Sequence, residues 1–228
     1  MSSFTGKYRV AAVAAIIILP ILGIYFLGKA KWVHKELPYI GHPSAQKDAD
    51  GKMEQHRIGE IELTDQHGKA VNPAKGDSFV TVANIFFATC PDVCPEMNSQ
   101  VQTVAEKFAK NPKVRFISIS IDPEHDTVGA LLVYAKRFKA DKLKWQFCTG
   151  NKTDIYDWVL NDLLLANEQK GSDFIHDDKV AIIDRNGHIR AILPTRGKSN
   201  KEKLEAFKRI EEDINNLLYE YRQKDMDK

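Results

Sequence analysis

The side chains best suited to chemistry are Cys90 and Cys94, four residues apart in the stretch Asn84-Ile-Phe-Phe-Ala-Thr-Cys90-Pro-Asp-Val-Cys94-Pro-Glu-Met. Pro95 suits the first position of a helix, where a missing N–H costs nothing, and this puts Cys94 at about the N-cap. Both sulfurs then lie near the positive end of the helix dipole and its orphan N–H groups. At least one thiol is therefore expected to have a lowered pKa. Such a thiolate is both a redox nucleophile and a soft metal ligand. Residues i and i+4 share a helix face, a spacing that suits chelation of a single ion. A disulfide needs β-carbons about 4 Å apart, closer than ideal helical neighbours, and Pro91 supplies the looser turn that would allow it. Chelate and disulfide both stay open at this point.

The elements that position the pair can be read from pattern. Residues 79–87 are rich in Val, Phe and Ile and end at a Pro-containing turn, as a buried central strand does. The cysteine helix follows and is expected to end near Asn111-Pro112. Upstream, residues 58–64 alternate apolar and polar, and Asp65-Gln-His-Gly68 makes a turn, which predicts a small hairpin. Downstream the pattern predicts strand 114–121, helix 127–138, strand 145–149, helix 153–165, a loop to Asp178, and strand 179–184. The turn Arg185-Asn-Gly187, strand 188–193 and helix 200–221 complete the chain. Alternating strands and helices imply a parallel sheet covered on both faces, with antiparallel strands added by the last hairpin. The order resembles the thioredoxin-like α/β plan, a three-layer sandwich with a central mixed sheet and helices on both faces.

The N-terminal region differs in kind. Residues 10–27 are uncharged and almost wholly apolar, between Lys7 and Arg9 on one side and Lys29 and Lys31 on the other. At 1.5 Å per residue they cover about 27 Å, close to the roughly 30 Å hydrocarbon core of a bilayer. Phe26-Leu27-Gly28-Lys29-Ala30 is a poor cleavage site, so the reading is an uncleaved transmembrane anchor with Pro20 as a kink. The flanking charges hardly decide its orientation. The expected organisation is a tail at 1–9, the anchor at 10–28, a tether at 29–57, one thioredoxin-like domain at 58–221 and a tail at 222–228. The tether carries His34, His42 and His56, which read as solvated. A net charge of +2 with interspersed signs offers no nucleic-acid-binding face. The charged run 201–208 reads as a solvated helix face. Three cysteines are too few for a disulfide scaffold.

Three stretches carry a specific resemblance. Cys90-Pro-Asp-Val-Cys94-Pro resembles the copper-binding motif of the Sco (SenC) family, membrane-anchored thioredoxin-fold proteins that help assemble the copper sites of cytochrome c oxidase. Ser118-Ile-Ser-Ile-Asp122-Pro123-Glu-His-Asp126-Thr127 is similar to the family's second-strand motif. Phe174-Ile-His176 followed by Val180-Ala-Ile-Ile-Asp184 resembles the segment that holds its third ligand. The resemblance covers roughly 58–221. Two departures stand out: Ile175 and Asp177 flank His176 where the family often has Asp and a small polar residue, and Ala191-Ile-Leu-Pro194-Thr replaces an expected Gly/Tyr/Asp-rich end. Asp177 could orient the imidazole through its free ring nitrogen.

The resemblance implies that Cys90, Cys94 and His176 bind copper. His176 lies just before a strand, where thioredoxin oxidoreductases present a cis-proline, and no proline stands here. Two thiolates and an imidazole suit soft Cu(I) and also admit Cu(II) with one added ligand, whereas a structural zinc site would normally bring four protein ligands. Cys148 and Met97 read as core, and Asp122 either supports the site loop or caps the helix beginning near Thr127. The expected function is a membrane-anchored copper metallochaperone serving the CuA-bearing subunit of cytochrome c oxidase, with Cys90 and Cys94 also redox-active. A copper donor and a thiol reductant protein are the further partners implied. The expected location is the bacterial cytoplasmic (inner) membrane, single-pass, with the domain in the periplasm, since no Arg-rich transit peptide is seen. The alternative is a thiol-disulfide reductase using the same pair, and a peroxidase with Cys90 as attacking thiolate is weaker because no Arg lies close to the motif.

Overall fold

The apolar run that precedes the cysteines forms a strand, Val80–Phe86, buried at all seven positions. A computed structural model describes residues 16–22, 34–43, 51, 53–75, 79–91, 93–166, 178–197 and 199–226. In chain order the elements are β1 (Leu63–Asp65), β2 (Ala70–Val71), β3 (Val80–Phe86), α1 (Val93–Phe108), β4 (Val114–Ser120), α2 (Val128–Arg137), a 3-10 turn (Ala140–Lys142), β5 (Trp145–Gly150), α3 (Lys152–Asn161), β6 (Lys179–Ile183), β7 (Ile189–Pro194) and α4 (Asn200–Met226). The strands form one sheet in the order β2-β1-β5-β4-β3-β6-β7. β3, β4 and β5 run parallel, while β6 and β7 on one side and β1 and β2 on the other are antiparallel.

Continuous burial of β3 reflects a strand covered on both faces. Val80, Val82 and Phe86 point to a core completed by α1, α2 and α4, through residues such as Val101, Leu131 and Ile214. Ala83 and Ile85 point the other way, to Ile155 and Trp158 of α3 and to Ile58 and Ile61. This is the mixed α/β sandwich expected from the order of elements.

Several boundaries differ from the pattern reading: the helix expected at 153–165 ends at Asn161, and two further differences have a visible cause. Ile58 and Ile61 are buried, but the ladder begins only at Leu63. Side chains satisfy the backbone there instead: Gly59 N–H donates to Asp162 Oδ1 at 2.6 Å, and Trp158 Nε1 donates to the Gly59 carbonyl at 2.7 Å. The helix expected to stop at residue 221 continues to Met226, where Arg185 Nη1 holds Asp225 at 2.9 Å.

Two compact units are present, Met1–Lys35 and Glu36–Lys228. In the first, residues 16–22 are helical and the rest of the expected anchor lies outside the described residues. Among the described residues no helix is long and apolar enough to cross a membrane. In the second unit, part of the expected tether is fastened to the sheet. Ile40 bridges Ile189, donating its N–H to the Ile189 carbonyl at 2.9 Å. Arg190, only 1% exposed, donates to the carbonyls of Leu37 and Pro38, pairs with Asp184 and Glu220 at 3.2 Å each, and lies 4.3 Å from the Tyr39 ring centre. A buried guanidinium needs its donors matched, and residues 37–38 provide part of that match. His56 Nε2 donates to the Asp162 carbonyl at 2.8 Å, while His42 is exposed.

Arg190→Leu leaves Asp184 and Glu220 buried without their cation and frees residues 37–40. A loss of about 3–5 kcal/mol in urea denaturation is expected, with faster proteolytic cleavage in 36–43 under native conditions. A loss below about 1 kcal/mol would show that the arginine is replaceable.

Candidate metal and redox site

Both cysteines sit at the C-terminal end of β3, where the chain turns into α1. Ile121 N–H donates to the Phe86 carbonyl at 2.9 Å, holding that end against the chain leaving β4. Cys90 N–H then closes a turn onto the Phe87 carbonyl at 3.2 Å. Helix α1 starts at Val93, so Cys94 lies inside its first turn rather than at the N-cap. The physical reason is local: Cys90 Sγ accepts the Cys94 N–H at 3.3 Å, so a sulfur upstream takes one of the orphan donors of the helix start. All three cysteines are free thiols.

Burial overrules the expected electrostatics. Cys94 is 0% exposed and Cys90 7%. Loss of hydration pushes the Cys94 thiol up to about 12, a hydrogen bond from the Phe87 backbone opposes this, and the neighbouring Cys90 and Asp126 raise it further. A helix N-terminus contributes about 0.3–1 kcal/mol at exposed sites, less than one pKa unit, and full desolvation is worth several. The lowered thiol pKa expected for this pair therefore does not apply to Cys94.

The surroundings fix the two sulfurs from different sides. Below α1 a buried polar chain crosses the core. Trp145 Nε1 donates to Ser118 Oγ at 2.8 Å, Ser118 donates to Asn84 Oδ1 at 2.6 Å, Asn84 Nδ2 donates to Asn98 Oδ1 at 3.0 Å, and Asn98 Nδ2 donates to Tyr134 Oη at 3.1 Å. Asn98 lies one turn beyond Cys94, so this chain ties the cysteine helix to β3 and α2. Tyr134 stacks on Phe86, and burial pushes its phenol up to about 12, with both cysteines adding to the shift. Above, Asp126 is 1% exposed and its Oδ2 accepts from Ala88 N–H at 3.0 Å and Ser120 Oγ at 2.5 Å.

Asp126 was not singled out by its residue type, although it stands within the strand-end stretch that carries the resemblance. Of the two roles considered for Asp122, capping falls to Thr127, while its backbone serves the site loop, its N–H donating to Ser120 Oγ at 3.0 Å and its carbonyl accepting the Asp126 N–H at 2.9 Å. Its carboxylate accepts from His125 Nδ1 at 2.9 Å, while Thr127 caps α2 by accepting from Ala130 N–H. That contact holds His125 above the usual imidazole pKa. Met97 is core, its sulfur 3.8 Å from Asn84 Nδ2. Cys148 is buried on the opposite face of the sheet from the pair, with its thiol pushed strongly up by burial, so it is no fourth ligand.

His176, with Ile175 and Asp177, lies outside the described residues. Among the described residues no three His, Cys, Asp or Glu side chains form a metal-holding group. The chain that follows His176 is well placed. β6 pairs Val180 with Asn84, so it begins beside the cysteine end of β3. Thr195 holds the Asp178 carbonyl through both N–H and Oγ1 at 2.7 and 2.8 Å. The Asp178 carboxylate lies 3.9 Å from Arg196, which is 3.6 Å from Glu96, two residues beyond Cys94. Lys203 also pairs with Glu96 and lowers its pKa.

Two thiols that flank the entry to the helix following a fully buried strand, Cys90 in the turn before it and Cys94 in its first turn, on a mixed sheet covered on both faces, define a thioredoxin-like protein. The SCO1/SenC family model matches residues 49–212, and the chain belongs to that family. It is 28% identical over 138 residues to the SCO1 protein homolog of Bacillus subtilis (strain 168), covering 59% of this chain and 72% of that protein. The crystal structure of a SCO1/SenC family lipoprotein from Bacillus anthracis str. Ames is similar at 25% identity and a TM-score of 0.60, over 72% of this chain and 95% of that one. Arabidopsis thaliana ScoI, solved with copper bound, shares the fold at 22% identity and a TM-score of 0.53, over 67% of this chain and 96% of that one.

Asn98→Ala cuts the buried polar chain and leaves Asn84 and Tyr134 each short of a partner. A destabilisation of about 1–3 kcal/mol in urea denaturation is expected, and an unchanged midpoint would show that the chain does not anchor α1.

Proposed function

We propose that this chain is a copper metallochaperone, anchored in the cytoplasmic membrane of a bacterium by residues 10–27, whose periplasmic domain delivers copper to the CuA-bearing subunit of cytochrome c oxidase. The observation that carries the reading is the pair itself: two free thiols, in contact through a sulfur-bound N–H, at the mouth of a thioredoxin-like sheet in a SCO1/SenC chain. His176 supplies the third ligand. Two sulfurs and one imidazole are a soft donor set that favours Cu(I).

Copper is cargo here, and the residues divide the work of holding and releasing it. Cys94 is the inner sulfur, held by α1, and its burial keeps it protonated until a cation takes the proton's place. Cys90 is the outer sulfur and the one a partner's thiolate or imidazole reaches first. Ligands of the acceptor displace Cys90, His176 and Cys94 one at a time, so no bare ion is released. Oxidation of the pair to a disulfide passes two electrons to an acceptor disulfide and two protons to its sulfurs, and it abolishes binding.

The hydrogen bond between the Cys90 and Cys94 thiols also favours a second reading, a thiol-disulfide reductase acting on the oxidase subunit or another exported protein. The two readings part at His176. The full chain, purified in mild detergent and reduced without oxygen, is expected to hold one Cu(I). In His176→Ala the affinity is expected to fall by more than the roughly 10–100-fold that loss of an outer partner costs. No copper in the wild type, together with a readily cycled disulfide, would leave the reductase.

A further inference from the structure

We propose that Asp126 is a positioning residue for the dithiol, acting through the turn that carries Cys90; this inference rests on the metallochaperone reading for its copper arm alone. The two sulfurs are held independently. Cys94 belongs to α1, which the Asn84–Asn98–Tyr134 chain ties to the sheet and α2. Cys90 belongs to the turn after β3, outside any regular element. Two bonds stitch that turn to the neighbouring loop: Ile121 N–H to the Phe86 carbonyl at 2.9 Å, and Ala88 N–H to Asp126 Oδ2 at 3.0 Å. The second reaches beyond the strand end into the turn itself.

The carboxylate is built in rather than incidental. Asp126 is buried, and the oxygen that receives Ala88 also receives Ser120 Oγ at 2.5 Å. Ser120 Oγ is in turn fixed by accepting the Asp122 N–H at 3.0 Å. A chain of donors thus runs from the end of β4 through Ser120 and Asp126 to Ala88, two residues before Cys90. In this arrangement Cys90 Sγ receives the Cys94 N–H, the geometry of the dithiol. A disulfide replaces this arrangement by an S–S bond of about 2.05 Å with a fixed torsion, so the sulfurs must leave it for the bond to form. Asp126 holds the turn in the arrangement of the dithiol, which is also the metal-binding form of the pair.

The test uses the full chain in detergent with three variants and two readouts. One is Cu(I) affinity by competition with a chromophoric chelator. The other is the dithiol–disulfide equilibrium in a glutathione buffer, where the protein pair loses two electrons and two protons and one glutathione disulfide becomes two glutathiones. Asp126→Ala is expected to bind Cu(I) about tenfold more weakly and to shift the equilibrium about tenfold toward the disulfide, with unchanged circular dichroism. Asp126→Asn keeps one side-chain oxygen that can accept from both Ala88 and Ser120, so it is expected to stay within about threefold of wild type in both. Ser120→Ala, which removes one of the two donors, is expected to give a shift of about fivefold in the same direction and carries the test where Asp126→Ala fails to fold. Wild-type values in Asp126→Ala, or in Ser120→Ala where the former does not fold, overturn the proposal. So does an Asp126→Asn loss as large as that of Asp126→Ala, which would assign the effect to charge. A wild type that binds no Cu(I) would defeat the metallochaperone reading, while the glutathione arm would still decide the role of Asp126.

Discussion

Withdrawal of the Cys94 sulfur from water is the constraint on which the rest of the site depends. A strand buried on both faces ends at Phe86, and the helix that follows must pack its first turn onto the same core. The sulfur that begins that packing cannot be hydrated, so its anion is costly and the neutral thiol is the resting form. The helix dipole and the Phe87 N–H act in the opposite direction and lose to burial. What would stabilise the anion is a positive charge at contact distance, and a metal ion is one. A site arranged in this way holds the Cys94 proton when empty and exchanges it for a cation.

Polar groups inside the core make that packing specific. Asn84 stands in the middle of β3 among apolar neighbours, and its amide serves Ser118, Asn98 and Met97. Unsatisfied, it would cost more than it contributes, but with its partners in place it admits only one alignment of α1 on the sheet. Because Asn98 is one turn from Cys94, the alignment it selects is also the position of the inner sulfur. Arg190 plays a similar part at the sheet edge, where its donors select residues 37–38 as the covering segment.

The sequence made the succession of strands and helices along the chain legible because it rests on local periodicity. Val80–Phe86 and the helix after Pro95 follow from apolar runs and proline placement alone. What was not legible depends on groups distant in the chain. Burial of Cys94 comes from tertiary packing, so a local argument about a helix N-terminus reached the wrong sign. Asp126 lies 38 residues from Ala88, and nothing in its type marks it as the acceptor for that N–H. Arg190 sits in an alternating strand where a charged residue reads as solvent-facing, yet Asp184, Glu220 and the Leu37 carbonyl make burial tolerable. For the same reason the polar stretch before the domain read as a tether throughout, while part of it belongs to the sheet. His176 rests on the resemblance of its segment, and the described chain supports it only through the position of β6 and Asp178.

The unequal support of the two sulfurs is what separates a carrier from a structural metal site. A structural site gains from having every ligand rigid and enclosed, commonly four of them. Here one sulfur is embedded in a helix locked by a buried polar chain, and the other stands in a turn to which the Asp126 carboxylate is bonded. Ligand exchange proceeds by replacing donors one at a time, and it is fastest when the first donor to leave is the least constrained. Cys90 is that donor, more exposed than Cys94 and carried outside the helix. The same asymmetry serves redox cycling, because a disulfide forms by moving one sulfur toward a fixed partner. Carrier and redox chemistry thus draw on one mechanical feature of the fold, and the chain need not rearrange its core to perform either.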